Sequence, residues 1–169
     1  MNFKIWKRRL AAAFACIDLK ILGLSAVLSL FLGIIIGVSG GGRYPFVYCL
    51  PNGALPTFLV MFFWGLTFAL LGAAFGNFLF SRRCGPRREQ ALLLFVFALT
   101  LSYVWIPLIY KAGCLFLGLM VSLLLVFALV LLFFALHREA ILSAIAVALC
   151  EIWAVYAAYY TLLLLLLNG

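Results

Sequence analysis

Acids are scarce in this sequence: four Asp and Glu residues stand among 169, against twelve Lys and Arg, and charged residues together make up 9%. A water-soluble domain carries roughly a quarter charged residues, so charges this few cannot cover a soluble surface. Histidine is represented by His137 alone, placed beside Arg138 and Glu139 where a loop is expected. No GxSxG, HExxH or Gly-Lys-Ser/Thr phosphate motif occurs, which removes the common hydrolase, zinc-protease and nucleotide-binding readings. The five cysteines (Cys16, Cys49, Cys84, Cys114, Cys150) stand singly with no CxxC pair, so neither a disulfide framework nor a metal site is expected.

What the chain has is apolar length. Hydrophobic residues are 69% of it, and that surface must face lipid. The net charge of +8 does not point to nucleic acid, because Lys4, Lys7, Arg8, Arg9 and Lys20 sit in the first twenty residues and Arg82, Arg83, Arg87 and Arg88 in one short connection. Basic residues beside apolar spans set membrane orientation. The N-terminal segment has charge but no apolar core leading to a cleavage site, so the first long run reads as a helix that stays.

About 20 apolar residues cross a bilayer as a helix, since every backbone N–H and C=O must be satisfied within the segment. Five stretches qualify, at 21–39, 57–80, 90–109, 113–136 and 140–167. The expected fold is all-α: a basic N-terminal segment, 1–20, and one five-helix transmembrane domain, 21–169, with the last helix long enough to tilt or project. The Lys and Arg count alternates from connection to connection. It places the N-terminus in the cytoplasm and the C-terminus outside. Between 39 and 56 runs a connection rich in Gly, Pro and aromatics, including Tyr44, Phe46 and Tyr48. A loop of that length in a compact protein reads as a lid or binding loop. Small residues at Gly33-x-x-x-Gly37 and Gly72-x-x-x-Gly76 indicate close helix packing.

Glu151 lies near the middle of the fifth span, where an ionised acid costs on the order of 2–3 kcal/mol or more. It shares a helical face with Ala144, Ala148, Val155 and Ala158, while Trp153, Tyr156, Ala157 and Tyr160 fall opposite. A structural, hydrogen-bonded Glu and a proton-handling one both fit. The aromatics carry more information: Trp64, Trp105 and Trp153 lie within or at the edge of separate spans, with Phe68, Tyr103, Tyr110, Tyr156 and Tyr160. Interfacial anchoring accounts for many such residues.

Spacing narrows the reading. Pro51 and Pro56 are followed by Trp64, Phe68 and Gly72, then by Trp105-Ile-Pro107-Leu108-Ile-Tyr110, then by Trp153-Ala-Val-Tyr156-Ala157 and a closing Leu167-Asn168. This ordered set resembles the tryptophan-rich sensory protein (TspO/MBR) family, the bacterial relatives of the mitochondrial translocator protein. The family's corresponding motifs are Trp-x-Pro-Leu-Phe-Phe and Trp-x-x-Phe-Ala ending in Leu-Asn. The chain departs from the pattern at Tyr44 and Pro45, where the family has Trp-Tyr, at Ser102 and Thr161, where it has Asn, and at Leu149 and Cys150, where it has Pro-Tyr. It also lacks the fourth-helix acid expected near Met120. No Lys or Arg follows the tyrosines of the last helix, so the weak sterol-contact pattern is missing there.

The resemblance implies a homodimeric membrane receptor for tetrapyrroles such as protoporphyrin, with no other cofactor. In some bacterial members it implies light-dependent porphyrin breakdown, with tryptophans at the positions of Trp64 and Trp153 implicated. A pocket walled by Trp64, Phe68, Trp105, Leu108, Trp153 and Ala157 would suit a large flat apolar ring, because aromatic faces add about 0.5–1.5 kcal/mol per pair beyond burial. Ser102 would join this site, and Tyr44 and Pro56 would roof it. A helix face such as Ala98-x-x-x-Ser102 offers a route to the second copy. The expected partners are thus membrane lipid, a hydrophobic small molecule and a second chain, with no nucleic acid. The rival reading is a transporter or its membrane subunit, with Glu151 as coupling acid; broken helices and internal repeats, usual in transporters, are not evident.

Overall fold

The structure, a computed structural model, describes residues 18–39, 48–51, 54–80, 86–137 and 139–169. The basic residues of the first 17 positions, the lid residue Tyr44, and Arg82 and Arg83 lie outside them. Within the described residues the chain is five helices and no strand: α1 Leu19–Ser39, α2 Thr57–Leu79, α3 Pro86–Tyr110, α4 Leu115–Leu136 and α5 Ile141–Asn168. All five are long and apolar enough to cross a membrane. The 28 residues of α5 rise about 42 Å, more than the ~30 Å hydrocarbon core.

Local chemistry sets the helix ends. Asp18 opens α1 by accepting the Lys20 N–H on Oδ1 at 3.0 Å, the usual work of a helix-capping carboxylate. Pro56 precedes α2, and its carbonyl accepts the Leu59 and Val60 N–H groups. Helix α3 begins four residues before the apolar run does. Pro86 suits a first helical position, and Glu89 in the first turn complements the dipole. Pro107 lies within α3, in its last turn, and the chain leaves the helix after Tyr110. Gly113 then takes φ 66°, a left-handed conformation that glycine adopts at no steric cost, and α4 follows at once.

The helices pack in the order α1, α2, α5, α4, α3, with α3 closing more lightly against α1 and α2. Helix α1 is peripheral: its span is 6% buried, and Leu24, Val27, Leu28, Phe31 and Ile34 point outward. It is held by close approach to α2. A Cβ on Gly72 would meet Ser29 Cβ and come within 2.7 Å of the Ser25 carbonyl oxygen, and one on Gly76 would meet the Ser25 side chain. Gly33 is filled by the Phe68 ring, whereas Gly37 has nothing within 4 Å. The expectation for the first glycine motif is therefore corrected: one of its two glycines packs and the other faces open space. The Ala98–Ser102 face needs correction too. Both residues are fully buried inside the bundle, so that face serves the single chain.

Hydroxyls that cannot reach water turn to the backbone. Ser25, Thr67, Thr100, Ser102 and Thr161 each bond the carbonyl four residues earlier at 2.7–2.9 Å, which satisfies them at membrane depth. Polar links also join helices. Ser29 Oγ and the Tyr103 hydroxyl share a 2.7 Å bond between α1 and α3. Ser143 Oγ donates to the Ala74 carbonyl and accepts from Asn77 Nδ2, tying α5 to α2. Arg88 donates to the Leu79 carbonyl at 2.7 Å, closing the end of α2 onto the start of α3.

Candidate ligand-binding site

Trp64 of α2, Trp105 of α3 and Trp153 of α5 point inward and meet. Their exposures are 1%, 0% and 9%. The Trp64 and Trp105 rings lie 4.9 Å apart, and Trp64 meets Trp153 edge-on at 6.2 Å. The helical period explains the extension of this cluster along α5. Residues 153, 156 and 160 share one face, and their rings stack in sequence at 5.0 and 6.2 Å. Tyr160 is hydrogen-bonded to Tyr110, whose ring lies edge-on to Trp105 at 6.2 Å. The six side chains thus form a closed aromatic circuit: Trp64, Trp153, Tyr156, Tyr160, Tyr110, Trp105 and back. Phe63 stacks on the outer side of Trp153 at 4.9 Å, and Phe68 continues from Trp64 to Tyr103.

The three indole N–H groups differ. Trp105 Nε1 donates to Thr161 Oγ1 at 3.2 Å, and that hydroxyl in turn donates to the Ala157 carbonyl. The Nε1 atoms of Trp64 and Trp153 are buried and have no hydrogen-bond partner among the described residues. A buried donor without an acceptor costs about 1–3 kcal/mol, so these two hold hydrogen-bonding capacity that the described residues leave unmet.

The other expected site residues fall as follows. Phe68 touches Trp64 and Tyr103. Ala157 is buried beneath the Trp105–Thr161 bond. Ser102 is buried but spends its hydroxyl on Ala98. Leu108 is half-buried, and no described contact brings it to the indoles. Pro56 is exposed and shapes the start of α2. Sequence reasoning left Phe63, Tyr110, Tyr156, Tyr160 and Thr161 out of the site. The signal was there in part, as the Trp153, Tyr156, Tyr160 stripe.

A strap, residues 48–51 and 54–56, crosses the end of the bundle where α3 and α5 finish. The Tyr48 hydroxyl donates to the Ile109 carbonyl at 2.8 Å. Burial, reinforced by nearby Cys114, raises the Tyr48 phenol above its ordinary value. Cys49 pairs with Asn168. The Leu55 N–H donates to the Tyr156 hydroxyl at 3.4 Å.

Glu151 stands about 200° around α5 from Trp153, outside the circuit. It is half-buried, and its Oε2 is buried with no partner among the described residues. No group of three or more potential metal ligands occurs among the described residues.

Fold and site together define an integral membrane protein of five helices with an aromatic centre inside the bundle and a strap over one end. Residues 18–166, nearly the whole chain, match the TspO/MBR family, and the chain belongs to it. No curated protein matches it.

Proposed function

We propose that the protein binds a large, flat, hydrophobic ring compound of the tetrapyrrole class at the aromatic circuit. The observation that carries this reading is the meeting of Trp64, Trp105 and Trp153 with two of their indole N–H groups buried and unpartnered. Ring faces supply stacking area, and the free donors suit a ligand that is mostly apolar but carries carboxylate or carbonyl oxygens. Sites of this kind are largely apolar, with few placed polar groups. A 4.9 Å centroid spacing between Trp64 and Trp105 admits no third ring between them. Binding therefore exchanges ring–ring contacts for ring–ligand contacts, and the side chains of α2 and α3 must part. With the N-terminus cytoplasmic, the strap lies on the outer face and guards that approach.

Titrating protoporphyrin into the purified protein while following Trp fluorescence tests this. Saturable quenching that Trp64→Phe with Trp153→Phe weakens at least tenfold is expected. Quenching that never saturates, or that ignores the double substitution, removes the reading. An absorbance time course under illumination then separates binding from breakdown: bleaching no faster than in protein-free controls leaves a binding protein.

The unpartnered Glu151 oxygen favours a second reading, a transporter or its membrane subunit with Glu151 as coupling acid. Liposome flux driven by a proton gradient and lost in Glu151→Gln would support it. Flux equal in the two proteins would end it.

A further inference from the structure

Tyr156 occupies a double position. Its ring stacks on Trp153 at 5.0 Å with the planes 26° apart, so it backs one indole of the proposed site. Its hydroxyl accepts the Leu55 N–H, so it also holds the foot of the strap, at the residue before Pro56 and the start of α2. The other two strap anchors end elsewhere. Tyr48 bonds a backbone carbonyl at the end of α3, and Cys49 bonds the terminal Asn168. Neither Ile109 nor Asn168 makes a described ring contact with an indole. The family motif named above has Phe where this chain has Tyr156, so the hydroxyl is an addition to an otherwise similar ring.

We infer that Tyr156 is a positioning residue that latches the strap to the ligand site, so that displacement of Trp153 and release of Leu55 occur together. This rests on the reading of the aromatic circuit as a ligand site. The physical argument concerns shared geometry. A ligand that reaches Trp153 Nε1 has to move that indole off its neighbours, and a stacked partner follows the ring it rests on. Movement of the Tyr156 ring carries the hydroxyl away from Leu55. At 3.4 Å the latch is longer than the 2.7–2.8 Å bonds that anchor Cys49 and Tyr48, and longer hydrogen bonds of this kind are weaker. It is the anchor that yields first. Leu55 sits next to Pro56, whose fixed φ makes the joint at the start of α2 stiff, so release at Leu55 uncouples residues 54–56 from α5 while Tyr48 and Cys49 keep their own anchors.

Tyr156→Phe keeps the ring and removes the hydroxyl, and two readouts decide. The first is stopped-flow Trp quenching with protoporphyrin in nanodiscs. Loss of one neutral hydrogen bond is expected to speed association roughly two- to ten-fold and to leave dissociation unchanged, because the latch is closed only in the ligand-free protein. The second is amide hydrogen exchange of segment 48–56, which should accelerate by a similar factor while the α4 amides stay protected as a folding control. Unchanged rates together with unchanged strap exchange would overturn the latch. Faster strap exchange with unchanged protoporphyrin kinetics would overturn the coupling. A wild-type protein that gives no saturable quench removes the ligand reading, and the exchange measurement then decides the latch alone.

Discussion

Asn168 holds Cys49 by both of its backbone groups. The side-chain Oδ1 accepts the Cys49 N–H at 2.7 Å, and Nδ2 donates to the Cys49 carbonyl at 3.1 Å and to the Leu164 carbonyl at 2.9 Å. The amide thus copies one rung of a β-ladder and joins residues 119 positions apart. Asn168→Ala is expected to raise proteolytic or hydrogen-exchange access at 48–51 about five-fold, which corresponds to the loss of roughly one net hydrogen bond. Asn168→Asp keeps the acceptor and loses the donor, so it should fall between. Equal protection in all three proteins would show that the clasp does not hold the strap.

The α1–α2 contact makes a sharp contrast between two glycines. Gly72→Ala drives a methyl into Ser29 and the Ser25 carbonyl, and overpacking of this kind costs about 1–3 kcal/mol. Gly37→Ala meets nothing within 4 Å and should be neutral or slightly stabilising. Thermal unfolding in detergent measures both. Equal melting temperatures would mean that the helices do not approach as closely as described.

Trp105 and Thr161 form a coupled pair. Thr161→Val keeps the shape and leaves the buried Trp105 N–H without its acceptor, at about 1–3 kcal/mol. Adding Trp105→Phe removes the stranded donor, so the double variant should lose less than the sum of the singles. Simple additivity in a thermal or denaturant cycle would argue against the 3.2 Å bond.

Tyr48 gives the strap a pH dependence. Burial and Cys114 raise its phenol above 10.0, so the folded state keeps a proton that the unfolded chain releases first. Its stabilising bond to Ile109 is therefore fully present below pH 10 and is lost as pH rises through the folded value. Strap hydrogen exchange, corrected for intrinsic rate and compared with Tyr48→Phe, should converge with that variant above pH 10. A constant gap between the two across that range would contradict the assignment.

Much of this architecture was legible in the sequence because a bilayer permits few alternatives. An apolar run near twenty residues has to be a helix, so the five spans and their order followed from length alone. The start of α3 at Pro86 was not legible that way, since its first turn is polar and only capping chemistry marks it. Trp64, Trp105 and Trp153 could be singled out by spacing, and all three meet. Tyr110, Tyr156 and Tyr160 were harder to place, because a tyrosine near a span end looks the same whether it anchors at the interface or turns inward to stack. Gly33 and Gly37 show the same ambiguity for packing: the spacing puts both on one face, and only the partner helix decides which is covered. The Asn168–Cys49 pair left no local trace, as nothing within a short window links a C-terminal amide to a loop backbone.

Ring separations of 4.9–6.2 Å along Trp105, Trp64 and Trp153 bring the indole transition dipoles close enough for excitonic interaction. Light absorbed by any one of them is expected to pass to its neighbours before emission. A perturbation at a single indole should then alter the emission of all three.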